Sequence, residues 1–270
     1  MSEKRILRPS QPPPAKKRFG QNFLIDPGVI RCIVDALKIE AGDVLVEIGP
    51  GRGALTEELV RSGANITAIE LDRDLIPLLK EKFAHNHNFE LRQDDALQMD
   101  FLELSRKAQK KLKLTANLPY YISTAILQVL IAQRSAFSEM VLMFQREVVQ
   151  RITASAGDSE RGFLTVMVEA SMRTEKLFDV PPGAFRPTPK VWSSVVRLVP
   201  NNDPDKNEVE FRALVSSAFL HKRKTILNNL KPLYPNIAEG LEKAEIDSRR
   251  RAETLTIEEW RGLARTLDLS

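Results

Sequence analysis

An alternation of strand-like and helix-like segments runs from Val44 to Ala154, and it constrains the fold more than any other feature. Short apolar runs predict strands, and the amphipathic segments between them predict helices. The strands are expected at 44–48, 66–70, 89–92, 112–116 and 140–144, and the helices at 54–61, 75–83, 122–132 and 147–154. This βαβ rhythm predicts an α/β fold with a mostly parallel, doubly wound sheet and right-handed crossovers.

The rhythm changes after residue 154. Two long strands are predicted at 165–178 and 191–199, joined by the proline-rich loop 180–189 as an antiparallel hairpin at the sheet edge. The composition of 201–205 indicates a linker. Only helical patterns follow, at 209–219, 222–230, 237–244 and 257–267, and Thr256 with Glu259 predicts a capping box.

Length and composition place the chain among globular proteins with a large and a small domain. Residues 1–17 are rich in Lys, Arg and Pro and are predicted to be a disordered arm, either a solubilising tail or an RNA contact. The single cysteine, Cys32, excludes an internal disulfide, so a reducing, cytoplasmic setting is expected, and its apolar helical surroundings predict a core position. No apolar run approaches the length of a membrane span, and no secretory signal is evident.

A glycine-rich turn follows the first predicted strand. Glu47 precedes Gly49, Gly51 and Gly53, and Glu70 ends the next strand about twenty residues later, the spacing that suits two ribose hydroxyls. The same glycines also satisfy a loose dinucleotide fingerprint, so NAD binding is a rival on these residues alone. An acidic Glu47 would face a pyrophosphate badly, but it would suit the cationic methionine part of S-adenosylmethionine.

Two further strand ends carry polar groups. Asp95 closes the third strand, where its carboxylate can accept from an adenine amino group or cap a helix. Asn117-Leu118-Pro119-Tyr120 follows the fourth strand, where α/β sheets hold their ligands. An amide, fixed carbonyls and an aromatic face there suit a planar base held by its amino group; an ordinary strand-to-helix turn is the alternative.

These motifs together resemble the KsgA-type ribosomal RNA adenine dimethyltransferases. The resemblance runs from about Lys16 to the C-terminus and rests on the motifs 17–24, 47–51, 95–96, 117–120, 185–187 and 219–230. It implies a Rossmann-like, class I S-adenosylmethionine-dependent methyltransferase sheet at 18–200 and a small, all-helical, RNA-binding domain at 206–270. The arm before Lys16 is longer than the family needs.

The family methylates two adjacent adenosines in a hairpin loop near the 3′ end of 16S rRNA in the small ribosomal subunit. Each adenosine receives two methyl groups on its exocyclic amine, a step in ribosome biogenesis. The resemblance assigns Asn22 and Leu24 to closing over the cofactor and Gly49 to its methionine portion. It assigns Glu70 to the ribose, Asp95 to the adenine amine, and Asn117 to the space between cofactor and target base.

The target base is expected to meet a further group of side chains. The Asn117 side-chain carbonyl and the backbone carbonyl of Leu118 or Pro119 can accept its amine hydrogens, while Tyr120 and Phe185 can sandwich its ring. Two basic runs are expected to bind RNA phosphates: Lys222, Arg223 and Lys224, and Arg249, Arg250 and Arg251. The histidines have no metal-ligand spacing, and a monomer is expected.

Several alternatives stay open on the sequence. A macrolide-resistance methyltransferase of the large-subunit rRNA type shares the chemistry but usually carries Ile at the position of Leu118. An organellar transcription-factor relative would need a targeting N-terminus, for which the proline-rich arm is a poor match. A NAD-dependent reductase would need a Tyr-x-x-x-Lys pair, which is absent after the fourth strand. A non-catalytic RNA-binding assembly factor would leave the sequence nearly unchanged.

Overall fold

The computed structural model describes residues 13–16, 20–201 and 208–268. Most of the predicted arm, most of the predicted linker and the motif residues Lys17, Arg18 and Phe19 lie outside this part of the chain. Within it, no helix combines the length and the apolar character that crossing a bilayer requires.

A seven-stranded sheet forms the centre of the larger region. Its strands are β2 (Val44–Ile48), β3 (Asn65–Glu70), β4 (Phe89–Gln93), β5 (Leu112–Asn117), β6 (Phe137–Gln145), β7 (Met172–Val180) and β9 (Ser193–Pro200), and their spatial order is β4-β3-β2-β5-β6-β9-β7. Strands β4, β3, β2, β5 and β6 are parallel, whereas β9 is antiparallel to both β6 and β7. The predicted α/β sheet with an antiparallel hairpin at its edge is confirmed.

Helices cover both faces of the sheet. They are α1 (Pro27–Ala36), α2 (Ala54–Leu59), α3 (Ile76–Lys82), α4 (Phe101–Ala108), α5 (Ser123–Ala132), α6 (Arg146–Ile152) and α7 (Phe163–Ser171). The strand order reverses between β2 and β5, so the crevice between their carboxyl ends is the expected position of a ligand site.

A second, two-stranded sheet joins distant parts of the chain. Strand β1 (Phe23–Leu24) pairs in antiparallel fashion with β8 (Phe185–Arg186), with Leu24 opposite Phe185. The amide of Ile25 extends this pairing by donating to the carbonyl of Ala184 (2.9 Å). The segment before α1 is therefore fixed to the loop that connects β7 and β9.

The prediction of a strand over 165–178 is wrong in its first half, because 163–171 forms α7. An almost continuous apolar run predicts a buried strand and a buried helix equally well. The helix is buried on two sides: Leu164 and Val168 pack into the core of the sheet, and Val166, Met167 and Ala170 pack into the core of the C-terminal helices. Tertiary packing on both faces decides the outcome here.

The described residues after 207 contain only helices, namely α8 (Glu208–Ala218), α9 (Ile226–Leu230), α10 (Ile237–Lys243) and α11 (Ile257–Thr266), with a short 3₁₀ turn at Ala252–Thr254. They surround the buried Trp260. The capping box is confirmed, since the Thr256 amide donates to Glu259 (2.8 Å) and the Glu259 amide donates to the Thr256 hydroxyl (3.2 Å). The boundaries 18–200 and 206–270 stay predictions.

Two local predictions are corrected by the structure. The helix expected at 222–230 begins only at Ile226, because the Thr225 hydroxyl caps it by accepting from the Asn228 amide (3.3 Å). Cys32 is exposed rather than in the core. Helix α1 turns Ile30 and Ile33 inward, and position 32 lies on its opposite side.

Candidate functional site

A cavity lies at the carboxyl ends of β2, β3, β4 and β5, where the strand order reverses. Its empty volume is about 1050 Å³, which includes the open space at its mouth. Of the residues predicted for cofactor and target base, those that line it are Asn22, Leu24, Gly49, Glu70, Asp95, Asn117, Leu118, Pro119 and Tyr120. The sheet topology therefore brings together motifs that are spread over almost a hundred residues.

The turn after β2 leaves room for a ligand. Gly49 has a left-handed backbone (φ 68°), and a side chain built there would meet no atom within 4 Å. Its amide is held by the carbonyl of Ile69 (2.9 Å), which fixes the turn against β3. Because the backbone is both exposed to the cavity and rigid, a ligand can approach it closely.

Glu47 places a fully buried carboxyl group in the cavity wall. The side chain is 1% exposed and accepts a hydrogen bond from the Thr56 hydroxyl (2.7 Å). Burial raises its pKa to about 7, with a further contribution from the nearby Glu70. A carboxyl group with a pKa of about 7 is only partly ionised at neutral pH, and a cation that binds beside it favours the ionised form. This wall therefore suits a positively charged ligand group.

Backbone amides orient the second carboxylate, Glu70. The Asp72 amide donates to one oxygen (2.8 Å) and the Gly51 amide to the other (3.1 Å). Burial raises the pKa of this group, and the two amides oppose that shift. Each oxygen keeps a further lone pair, so the carboxylate can accept from two neighbouring hydroxyls of a ligand.

Asp95 does not cap a helix, since the N-cap of α4 is Asp100, and the Asp95 carboxylate forms a turn instead. One oxygen accepts from the amide of Leu97 (3.0 Å) and shapes the turn after β4. The residue is only partly buried and lines the cavity. Its second oxygen forms no other hydrogen bond with the described residues, so the carboxylate can still accept from an amine.

The residues after β5 form the other wall of the cavity. The Asn117 side-chain amide donates to the carbonyl of Asn22 (3.2 Å), which leaves its own carbonyl oxygen as an acceptor. The Pro119 carbonyl already accepts from the Ile122 amide (3.2 Å) and the Ser123 hydroxyl (3.3 Å). Of the two backbone candidates, Leu118 therefore offers the carbonyl that no described residue engages.

Tyr120 is held at its far end. Its hydroxyl lies 3.0 Å from the Ser193 hydroxyl at the start of β9, and partial burial raises its pKa. The ring is therefore anchored while it lines the cavity. Such a fixed aromatic face is suited to stacking on a flat ligand.

Phe185 is the exception among the predicted site residues. Its ring is 1% exposed and lies in the core with Leu24, Val180 and Val195. The residue does not line the cavity, so a stacking role for its ring is inconsistent with this structure. Phe185 lies opposite Leu24 in the pairing of β8 with β1, and both side chains belong to the same buried cluster.

The segment before α1 covers one side of the cavity through contacts that the sequence did not reveal. Lys16 forms ion pairs with Asp72 and Asp74 (both 2.5 Å), and the Gln21 amide donates to Asp72 (2.8 Å). Arg52, inside the glycine-rich turn, donates to the Pro13 carbonyl (2.8 Å) and lies over the ring of Phe23 (4.4 Å). The position of Asp72, two residues after Glu70, was the only signal that the sequence offered.

The two basic runs differ in how many of their charges are free. Lys222 donates to the Ser159 carbonyl (2.9 Å), and Arg223 and Lys224 are exposed. In the second run, Arg249 pairs with Asp247 (3.0 Å) and Arg250 pairs with Glu259 (2.5 Å), while Arg251 is exposed. Arg250 also donates to the Thr254 carbonyl (2.6 Å), so it holds the capping box of α11 in place.

No group of three or more His, Cys, Asp or Glu side chains with a metal-binding arrangement occurs in the part of the chain that the structure covers. The carboxylates of the cavity instead meet backbone amides and hydroxyls. The donors and acceptors that line it match an organic ligand with an amine, hydroxyls and a flat ring.

Comparisons with known proteins point to one family. The family model for ribosomal RNA adenine dimethylases matches residues 14–268. Ribosomal RNA small subunit methyltransferase A of Pseudomonas aeruginosa is 46% identical over 256 residues, which are 94% of each chain.

Solved structures agree with this similarity. A dimethyladenosine transferase from Plasmodium falciparum is 29% identical, with a TM-score of 0.79 over 91% of this chain and 98% of that one. The 23S rRNA methyltransferase ErmE is 26% identical, with a TM-score of 0.73 over 92% of this chain and all of that one.

Proposed function

The chain belongs to the ribosomal RNA adenine dimethylase family, and from this membership we propose that it dimethylates two adjacent adenosines of 16S rRNA. The adenosines are those of the 3′-terminal hairpin loop in the small ribosomal subunit, and S-adenosylmethionine is the methyl donor. The products are N6,N6-dimethyladenosines. The observation that carries the proposal is the acceptor pair of Asn117 and Leu118 facing the carboxylate wall across one cavity.

The residues of the cavity fit the methyl donor on chemical grounds. Glu47 is a buried carboxyl group for a cationic amino-acid tail, and the open space at Gly49 admits the tail. Glu70, oriented by backbone amides, suits the ribose hydroxyls, and Asp95 suits the adenine amine. The donor, when bound, supplies an electrophilic methyl group on a sulfonium. The residues of the protein position that group relative to the target amine.

Asn117 and Leu118 supply two acceptors that can make the adenine amine of the target more nucleophilic. The adenine amine is a poor nucleophile because its lone pair is delocalised into the ring. Two carbonyl acceptors that hold its hydrogens draw the nitrogen toward a tetrahedral shape and aim the lone pair at the methyl group. Holding this near-attack geometry accounts for much of the rate. Once it has accepted the methyl group, the nitrogen carries a positive charge and is acidic, so one of its protons leaves without a strong base.

Tyr120 supports the same geometry. Its ring lines the cavity beside the acceptor pair, and its hydroxyl is tied to Ser193. Stacking on a base that has left its helix is worth roughly 1–3 kcal/mol. The buried Phe185 does not line the cavity, so of the two predicted rings we assign the stacking to Tyr120 alone.

Similarity to relatives favours the small-subunit target over the large-subunit alternative. The relative named for the small subunit is 46% identical, whereas the 23S rRNA methyltransferase ErmE is 26% identical. We also propose that residues 206–270 anchor rRNA and that the enzyme works as a monomer. Light scattering during gel filtration tests the second point.

The direct test is transfer of a tritiated methyl group to small subunits from a strain that lacks the modification. The modified bases are then mapped, and large subunits serve as the matched control substrate. We expect transfer of four methyl groups per small subunit and none to large subunits. Label on large subunits alone would favour the macrolide-resistance type, and RNA binding without transfer would favour an assembly factor.

A second measurement tests the donor. Calorimetry should show binding of S-adenosylmethionine that weakens in Glu70→Ala, because that change removes the acceptor for both ribose hydroxyls. Lys107, which pairs with Glu103 on the exposed side of α4, offers a matched control in Lys107→Ala. Equal or tighter binding of NAD would overturn the assignment.

A further inference from the structure

An exposed aromatic residue immediately precedes Ser193, which contacts Tyr120 in the target wall of the cavity, the wall formed by Asn117, Leu118 and Tyr120. Trp192, just before β9, is 43% exposed, and its neighbour Val191 is 42% exposed. Tyr121, which lines the cavity, is 59% exposed. Large apolar side chains that remain in solvent side by side frequently mark a contact surface.

Two hydrogen bonds fix Trp192 relative to the target wall. The carbonyl of Trp192 accepts from the Arg146 amide at the start of α6 (2.9 Å). The next residue, Ser193, is buried and contacts the Tyr120 hydroxyl (3.0 Å). Trp192 is therefore one residue away from a side chain that touches the anchored ring of the target wall, and its backbone position is defined.

The charge around Trp192 is mainly positive. The Arg146 guanidinium lies 5.8 Å from the centre of the Trp192 ring, and Arg186 and Lys190 are exposed in the same loop. Of the nearby acidic groups, Glu147 follows Arg146 in the chain, and Asp179, which is paired with Lys176 and Ser194, also attracts Arg146. An aromatic face beside an arginine is a combination that single-stranded nucleic acid binds through stacking and phosphate contacts.

We propose that Trp192, with Arg146 beside it, is a stacking platform for an rRNA base that flanks the target adenosine. The proposal rests on the proposed function and adds a second point of contact outside the cavity. When a target base leaves its stack, a neighbouring base loses a partner. Trp192 supplies a new one and thereby holds the loop in the position that delivers the amine to Asn117.

The platform is a positioning device and does not touch the reacting atoms. Its removal therefore weakens the productive binding of RNA without changing the acceptor pair. Trp192→Ala should raise the KM for the rRNA substrate roughly 5- to 100-fold, the range expected for one stacked base. The rate constant at saturating RNA and the affinity for S-adenosylmethionine should stay within about twofold of the wild type.

Conservative and distant variants separate stacking from folding. Trp192→Phe keeps an aromatic face and should recover most of the affinity that Trp192→Ala removes. Leu102→Ala removes an apolar side chain of similar exposure (38%) on α4, which does not line the cavity, and should leave the KM unchanged. Denaturant unfolding of all three proteins checks that each fold is intact, because each altered side chain is partly buried.

Tryptophan fluorescence gives an independent readout. The chain has two tryptophans, and Trp260 is fully buried, so the solvent-exposed emission comes from Trp192. Adding the hairpin RNA to wild type should quench this emission, and Trp192→Phe should lose the quenching while still binding RNA. RNA that saturates the enzyme without quenching Trp192, or a wild-type KM in Trp192→Ala, would overturn the platform.

The same measurements distinguish this proposal from the proposed function. If the wild type transfers no methyl group to rRNA, the proposed function fails, and quenching by RNA still decides whether Trp192 stacks on a base. If the wild type transfers normally and Trp192→Ala does too, only the platform fails. Quenching by a ribosomal protein and not by RNA would identify a protein contact and would also exclude the platform.

Discussion

The cavity and the two basic runs of the helical region were both predicted from short motifs, but the structure defines the positions of the cavity side chains more closely. Every predicted cavity residue except Phe185 lines one cavity, because most of them lie at the carboxyl ends of strands in the large sheet, and Asn22 and Leu24 lie in the segment that pairs with β8. The basic runs have no such framework. Arg250 is bound into the cap of α11, while Arg223 and Lys224 stay exposed. A motif at a strand end fixes the position of a side chain, whereas a run of charges does not.

The largest effect on methyl transfer is expected from a change at Asn117. Asn117→Ala removes an acceptor that acts mainly in the transition state, so single-turnover methyl transfer should fall about 100- to 1,000-fold. RNA binding, measured by filter retention, should be nearly unchanged. A variant with near-normal transfer would place Asn117 among the residues that only shape the cavity and would weaken the contrast drawn above.

A smaller effect concerns Glu47, whose folded pKa of about 7 lies above its ordinary value of 4.5. Below the ordinary value, both the folded and the unfolded states bind the proton. As the pH rises from there to about 7, only the unfolded state loses it, so the free energy of unfolding falls by an amount on the order of 3 kcal/mol.

Glu47→Gln removes this titration and keeps the hydrogen bond from Thr56. Denaturant unfolding between about pH 5 and pH 8 should show a stability advantage for the variant that grows with pH and levels off above about pH 7. Thr56→Val is the companion variant, since it removes the hydroxyl and leaves the carboxyl group. An advantage for Glu47→Gln that is constant across this range would show that Glu47 is not protonated in the folded protein.

Arg250→Ala tests whether this member of the second basic run stabilises the fold. It should lower the free energy of unfolding by about 1–2 kcal/mol, because Glu259 and the Thr254 carbonyl lose a charged, partly buried donor. Arg251→Ala is the matched control, since that side chain is exposed, and it should change the free energy of unfolding by less than about 0.5 kcal/mol. Equal destabilisation in the two variants would contradict the structural role of Arg250.

The triple variant of Lys222, Arg223 and Lys224 to Ala should have the smallest effect on the folded protein. Removing one bound phosphate reduces the log–log salt dependence of RNA binding by roughly 0.7–0.9, so the three changes together should reduce the slope by roughly 2. Cofactor affinity and transfer at saturating RNA should change little. An unchanged slope across a salt series would mean that these residues form a solvated face.

Much of the fold could be predicted because hydrophobic periodicity is a local signal. The five parallel strands and the position of the glycine-rich turn follow from it directly. Helix α7 could not be predicted in this way, because it is buried on two sides and has no polar face to reveal its period. The burial of Cys32 was also predicted wrongly. An apolar helical pattern does not show that each of its members is buried, and in α1 Ile30 and Ile33 are buried while Cys32 is exposed.

The candidate site shows the same division. Glu70, Asp95 and Asn117 could be assigned because strand ends converge at one edge of a parallel sheet. The inward turn of Phe185 depends on the pairing of β8 with β1, across about 160 residues of chain, and no local pattern encodes it. The ion pairs of Lys16 with Asp72 and Asp74 are long-range in the same way.

Helix α7 also limits how this protein can be divided or exchanged with its relatives. Its sequence belongs to the methyltransferase part, but Val166, Met167 and Ala170 complete the core of the C-terminal helices. A chimera joined near residue 200 would combine this helix with a foreign partner surface and leave apolar side chains mismatched on both pieces. Replacing the C-terminal helices with those of a relative therefore requires that residues 163–171 be transferred with them or redesigned to fit them.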